Sequence, residues 1–201
     1  MTLIRKLTEK RLIIASHNAD KLKEIFALLG PLGLSLISAK QLALPEPEEN
    51  GANYLENALI KAQACCAATG LPVLSDDSGI EVEALDWGPG VDTAPYTKNH
   101  GGLKQVFDLW AKLPNLKNHP RARFVCVLVL AWPDGHYQHF DAIIDGRLTF
   151  PPRGHHSHGY DPIFIPDGHQ RTVAEMNLGE KNSCSHRYRA CKKLIASCLV
   201  F

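Results

Sequence analysis

The chain opens with a short apolar run, Leu12-Ile13-Ile14-Ala15, of the kind a buried strand shows. Leu22, Ile25, Phe26 and Leu29 then recur at helical spacing until Gly30-Pro31 ends the pattern, so the expectation is strand, loop, helix. Asn53 with Glu56 three residues later reads as an N-cap and its partner. Tyr54, Leu55, Ala58, Leu59 and Ala62 supply the apolar stripe of the helix that follows, which lasts until Gly70 and carries Lys61. Pro72-Val73-Leu74-Ser75 enters a strand expected to end on Asp76-Asp77-Ser78-Gly79, after which Ile80, Val82 and Ala84 alternate as in a half-buried strand.

Further on, Leu103, Val106, Phe107 and Trp110 define a helix, and Phe124–Trp132 is the most apolar stretch, expected as a central strand. Tyr137–Ile144 pairs beside it across the Pro133-Asp134-Gly135 turn. Pro151 to Gly159 lacks periodicity and reads as a loop, Thr172-x-x-Glu175 has capping-box spacing and starts a short helix, and a last helix begins near Ser185. Strands alternating with helices, plus a hairpin, predict a mixed α/β sheet flanked by helices, as a single domain over 1–201.

Composition narrows the function classes. Lys+Arg 22 against Asp+Glu 21 gives no field that would favour duplex nucleic acid or anionic membrane, so any phosphate ligand must be held locally. Arg5, Lys6, Lys10 and Arg11 precede no leader-like apolar stretch, and no window is long and uncharged enough to span a bilayer, so a cytoplasmic protein is expected. Cys65, Cys66, Cys126, Cys184, Cys191 and Cys198 lie in apolar segments without C-x-x-C spacing and are expected as reduced, buried thiols.

Four segments carry candidate chemistry. Ser16-His17-Asn18-Ala19-Asp20-Lys21 sits where a strand meets a helix, a position that suits an anion site and equally a plain N-cap. Asp76-Asp77, with Glu48 and Glu49, suits a magnesium ion that takes few carboxylates plus substrate phosphates; a solvated acidic turn is the other reading. Gly159-Tyr160-Asp161-Pro162 can line a base pocket or form a tight turn. Lys181, His186 and Arg187 surround a helix start, where Lys181 suits a phosphate and the other two can donate to a keto oxygen. His155-His156-x-His158 has no matching cysteine or carboxylate motif and is not read as a zinc site.

In order along the chain, S-H-N-A-D-K at 16–21, E-N-A-L-I-K-A at 56–62, S-D-D-S-G-I at 75–80, P-G-V at 89–91, P-R-G at 152–154, G-Y-D-P-I-F at 159–164 and T-V-A-E…K…S-H-R at 172–187 resemble the inosine/xanthosine triphosphate pyrophosphatase family. The resemblance implies a two-lobed α/β fold with an elongated twisted sheet and a central nucleotide cleft, homodimerisation and dependence on Mg²⁺. It also implies hydrolysis of ITP, dITP and XTP to the monophosphate and pyrophosphate, which keeps these nucleotides out of DNA and RNA. By the same resemblance, Ser16 to Lys21 and Lys61 contact the triphosphate, and Asp77, with Asp76, is the catalytic carboxylate. Asp77 and Glu48 or Glu49 hold the metal, and Ser78, Gly159, Tyr160, Asp161 and Lys181 contact substrate, while His186 and Arg187 read the purine. The chain departs from the family at His158, where Phe is usual, and at Pro95, where Arg usually precedes the tyrosine. Two rival readings stand beside it: a Maf-type pyrophosphatase that would share reaction and fold but act on pyrimidine or modified nucleotides, and a noncatalytic purine-nucleotide-binding regulator, made conceivable by the two departures.

Overall fold

A computed structural model describes residues 4–155 and 159–199. Its elements in chain order are β1 (Arg11–Ala15), α1 (Ala19–Leu29), β2 (Ser35–Ser38), α2 (Tyr54–Thr69), β3 (Val73–Val82), β4 (Gly88–Pro89) and α3 (Thr93–Asn99). There follow α4 (Leu103–Trp110), α5 (Pro114–Asn118), β5 (Arg121–Ala131), β6 (Tyr137–Leu148), β7 (Phe164–Pro166), α6 (Leu178–Ser183) and α7 (His186–Cys198). The sheet has the order β2-β1-β3-β5-β6-β7, with β4 beside β3. β1 runs parallel to β2 and β3, whereas β3–β4 and β6–β7 are antiparallel, so the sheet is mixed as expected.

The chain divides into two compact units made of interleaved segments. One comprises Met1–Asp77, Cys126–Ala142 and Arg187–Phe201, and the other Ser78–Val125 and Ile143–His186. In the first unit the sheet is covered on both faces, which is why its strands read as unbroken apolar runs. Side chains alternate across a strand. Leu12, Ile14, Leu74, Cys126, Leu128 and Leu130 accordingly pack against α1 and α7 through Ile25, Leu29, Ala190, Cys191 and Leu194. Ile13, Ala15, Val73, Val129 and Ala131 pack on the other face against Ala58, Ala62, Cys65 and Cys66 of α2. Each large aliphatic side chain so buried contributes about 1.5–3 kcal/mol. All six cysteines are free and buried, as expected.

The core of the second unit joins Ile80 and Val82 to Val106, Phe107 and Trp110 of α4, and to Tyr160, Ile163 and Phe164. Gly146 lets β7 approach, because a Cβ there would stand 2.4 Å from the Ile165 carbonyl oxygen.

Two expectations need correcting. The Asp76-Asp77-Ser78-Gly79 segment does not end a strand: β3 runs unbroken from Val73 to Val82. Carboxylates can occupy a buried strand when cations on the covering helices neutralise them, and here they do. Thr172 and Glu175 do form a capping box, but it opens only the single 3₁₀ turn Val173–Glu175. The helix beyond is α6, started by a second box in which the Asn177 side chain accepts from the Glu180 backbone N–H. β2 and α3 were not expected: one is only four residues long, and the other carries a proline, Pro95, within its first turn.

Candidate active site

The alternation that builds the first core also places the acidic pair. Asp76 has the parity of Leu74 and therefore faces α1 and α7; Asp77 has the parity of Val73 and Ser75 and faces α2. Ser75 marks that second face, its Oγ donating to the Ala58 carbonyl at 2.6 Å.

On the α1/α7 side, Asp76 Oδ2 accepts from Nη2 and Nε of Arg187 at 3.1 and 3.3 Å and lies 3.1 Å from Lys21 Nζ. Arg187 Nη1 donates to Glu24, three residues from Lys21 on the same face of α1. Asp76 is 2% exposed and Arg187 6%. Burial alone would push the Asp76 pKa up, but Lys21, Arg187 and Lys61 outweigh it and hold the carboxyl well below the usual range.

On the α2 side, Lys61 Nζ lies 2.8 Å from Glu49 and 3.6 Å from Asp77 Oδ1, and Asn57 Nδ2 donates to Asp77 Oδ2 at 3.3 Å. Asn57 and Lys61 are four residues apart on the buried stripe of α2, so one helical face delivers both. Burial raises the Asp77 pKa, and Glu49 and Asp76 add to the rise, against the opposing pull of Lys61 and Lys21. Burial works against the Lys61 ammonium, but Asp77, Asp76 and Glu49 keep its pKa above the ordinary lysine value.

The 16–21 segment behaves as a cap. Asn18 Oδ1 accepts from the backbone N–H groups of Asp20 and Lys21 at 2.9 and 3.2 Å, and Ser16 Oγ accepts from Asn18 N–H at 3.3 Å. Ala19 is exposed at the helix start, and Asp20 lies 4.0 Å from Lys23. His17 Nε2 is 2.9 Å from the Leu44 carbonyl, which can only accept, so the proton sits on Nε2. His17, Glu46, Lys61 and Cys65 help line a small open recess. Both loop glutamates are exposed, and Glu49 reaches Lys61.

In the second unit, Gly159 takes a left-handed φ of 54° and leads into Tyr160, which is 4% exposed. The Tyr160 ring packs against Phe107 and Trp110, with ring centroids 5.7 and 5.3 Å away, and its hydroxyl bonds Thr97 Oγ1 at 2.8 Å. Burial raises the Tyr160 pKa above its ordinary value, opposed by the Thr97 hydrogen bond. Tyr160 is thus a core residue that fixes the position of Asp161, whose buried carboxylate pairs with Lys181 Nζ at 2.9 Å. His186 stacks on Phe124 at 5.0 Å between centroids and 22° between planes. Ser78 is half-buried in β3, and His158 lies outside the described residues.

The structure therefore brings together Lys21, Glu49, Lys61, Asp76, Asp77 and Arg187 in the first unit, and Tyr160, Asp161, Lys181 and His186 in the second. Sequence reasoning missed Glu24, Asn57 and Phe124. Asn57 stands inside the E-N-A-L-I-K-A motif, which was the available signal. Among the described residues no cluster of three or more His, Cys, Asp or Glu could by itself hold a metal ion. Asp77 and Glu49, flanking Lys61, nonetheless offer the hard oxygen donors that suit a divalent cation drawing the rest of its shell from phosphate and water.

A mixed α/β fold whose strand β3 carries two buried carboxylates, each met by a lysine from a covering helix, defines a protein equipped for phosphate chemistry. The Ham1 family matches residues 12–197, and the chain belongs to that family. It is 45% identical to the dITP/XTP pyrophosphatase of Agrobacterium fabrum over 212 residues, covering 98% of this chain and 99% of the relative. It is 46% identical to the enzyme of the same name from Ruegeria pomeroyi over 192 residues, covering 93% and 94%. Among solved structures it resembles a HAM1 protein from Coxiella burnetii, with a TM-score of 0.83, 33% identity and coverage of 94% and 98%. The Ham1 protein of Staphylococcus aureus gives a TM-score of 0.81, 31% identity and coverage of 93% and 97%.

Proposed function

We propose that the protein hydrolyses the noncanonical purine nucleoside triphosphates ITP, dITP and XTP to the monophosphate and pyrophosphate, clearing them before polymerases use them. The observation that carries this reading is Asp77, a buried carboxylate with a raised pKa, set beside Lys61 and Glu49 in a chain whose near full-length relatives are named dITP/XTP pyrophosphatases. Asp77, held by the Asn57 amide and facing Lys61, accepts the proton of the water that attacks the α-phosphorus. Lys61 and Lys21 stabilise the charge that grows on the departing pyrophosphate, where fixed cations act most strongly. Mg²⁺, held by Asp77 and Glu49, would neutralise phosphate charge and orient the chain of phosphates. By the family resemblance, Lys181 and Asp161, paired with each other, contact the nucleotide.

His186 reads the 6-keto oxygen of hypoxanthine or xanthine, while the 6-amino group of adenine would set donor against donor. Arg187 is left out of this reading, because it is buried with its guanidinium turned to Asp76 and Glu24. A homodimer in the cytosol completes the proposal, the dimer to be checked by sedimentation. The test is pyrophosphate release from ITP, dITP, XTP, GTP, ATP and dTTP with and without Mg²⁺. The expected result is Mg²⁺-dependent release from the first three at least about 100-fold faster than from ATP or dTTP. Preferential use of dTTP, or binding of ITP without release, would overturn it.

A further inference from the structure

The acidic loop that carries Glu49 must hold a fixed position relative to Asp77 if the two are to act on one ligand, yet it contains no regular element between β2 and α2. Asn57 supplies the connection. Its side chain is 4% exposed and faces two ways: Nδ2 donates to Asp77 Oδ2 at 3.3 Å, and Oδ1 accepts from the Gly51 backbone N–H at 2.8 Å. Gly51 lies two residues after Glu49. It is pressed so closely on the start of α2 that a Cβ there would stand 2.6 Å from Glu56 Cβ, 2.8 Å from Asn57 Oδ1 and 2.9 Å from the Asn57 nitrogen. Two further contacts clamp the same stretch: the Ala52 N–H donates to Glu56 at 2.7 Å, and the Glu56 N–H donates to Asn53 at 3.0 Å.

We propose that Asn57 is a positioning residue that ties the Glu49 loop to the Asp77 carboxylate, so that Glu49 and Asp77 present their oxygens to one divalent cation. The donor on Asp77 Oδ2 fixes the carboxylate's rotation and leaves Oδ1 facing Lys61; the acceptor on Gly51 sets the loop's height above α2. The role of Asn57 rests on the pyrophosphatase reading only for the chemistry it serves, not for the metal it helps to place.

The experiment compares the wild type with Asn57→Ser, which breaks both links, and Gly51→Ala, which leaves Asn57 in the chain but forces the loop off it. Mn²⁺ binding to the protein alone is followed by electron paramagnetic resonance, alongside kcat and KM for ITP and thermal melting. The expected result for both variants is Mn²⁺ affinity weakened about 10-fold and kcat lowered about 10–100-fold, with KM for ITP within about 3-fold, the size typical of residues that orient metal ligands. Either variant suffices if the other fails to fold. Wild-type Mn²⁺ affinity or wild-type kcat in a folded variant overturns the proposal, whatever happens to the melting temperature. Should the wild type release no pyrophosphate from ITP, the substrate assignment fails and Mn²⁺ binding alone decides the role of Asn57.

Discussion

Asp76 and Asp77 are covalent neighbours, both buried in β3, and their pKa values move in opposite directions. The strand's alternation turns one toward α1 and α7, where Lys21 and Arg187 bind it, and the other toward α2, where it shares Lys61 with Glu49. On the first face the cations outweigh the desolvation of the carboxylate. On the second, burial and a neighbouring acid win over a lysine 3.6 Å away. Like residues one position apart thus acquire opposite electrostatics, and the difference lies in what the covering helices supply.

The comparison breaks most sharply at Asp77. Asp77→Asn is expected to lower kcat for ITP by about 10³-fold or more, the loss of a general base, while melting no earlier than the wild type, since the residue removed was held against its burial. Retention of wild-type turnover would refute the assignment. Arg187→Met should do the reverse, acting first on stability. It leaves Asp76 buried and Glu24 half-buried without their guanidinium, at a cost of about 3–5 kcal/mol, read from urea unfolding; a loss under about 1 kcal/mol would show that the network holds little. Smaller again is the contrast within the loop. Glu49→Gln, which removes the carboxylate paired with Lys61, should raise the Mg²⁺ concentration needed for half-maximal activity about 10-fold, whereas Glu48→Gln should change it less than about twofold.

The sequence revealed elements wherever a local pattern decides them. The β1 run, the α2 cap at Asn53 and the apolar β5 are all short-range signals, and all three form. The unity of β3 was not legible, because Asp76-Asp77-Ser78-Gly79 looks like a turn until the partners are known, and Arg187 lies 111 residues from Asp76. For the same reason Arg187 could be located as a chemical group while its commitment to Asp76 and Glu24 stayed hidden. Tyr160 was legible as important but not as buried, since the rings that cover it come from α4.

The finest test of the two faces is the pH dependence of stability. Asp76 has a depressed pKa in the folded protein, so the stability it contributes is fully present above its unfolded value of about 3.9 and is lost as pH falls through the lower folded value. Asp77 carries the opposite sign. Its folded pKa is raised, so between about 3.9 and that raised value the native state binds more protons than the unfolded chain, and stability falls as pH rises. In Asp77→Asn this decline should vanish, so the stability of the variant relative to the wild type should grow as pH climbs above about 4. Asp76→Asn should instead lose its stability deficit progressively on acidification below about pH 4, as the wild type surrenders the same ion pair. Urea unfolding of the three proteins across that range reads both signs at once. Parallel curves for wild type and Asp77→Asn above about pH 4 would mean that Asp77 is no more strained than an exposed carboxylate, and the contrast between the two faces of β3 would collapse.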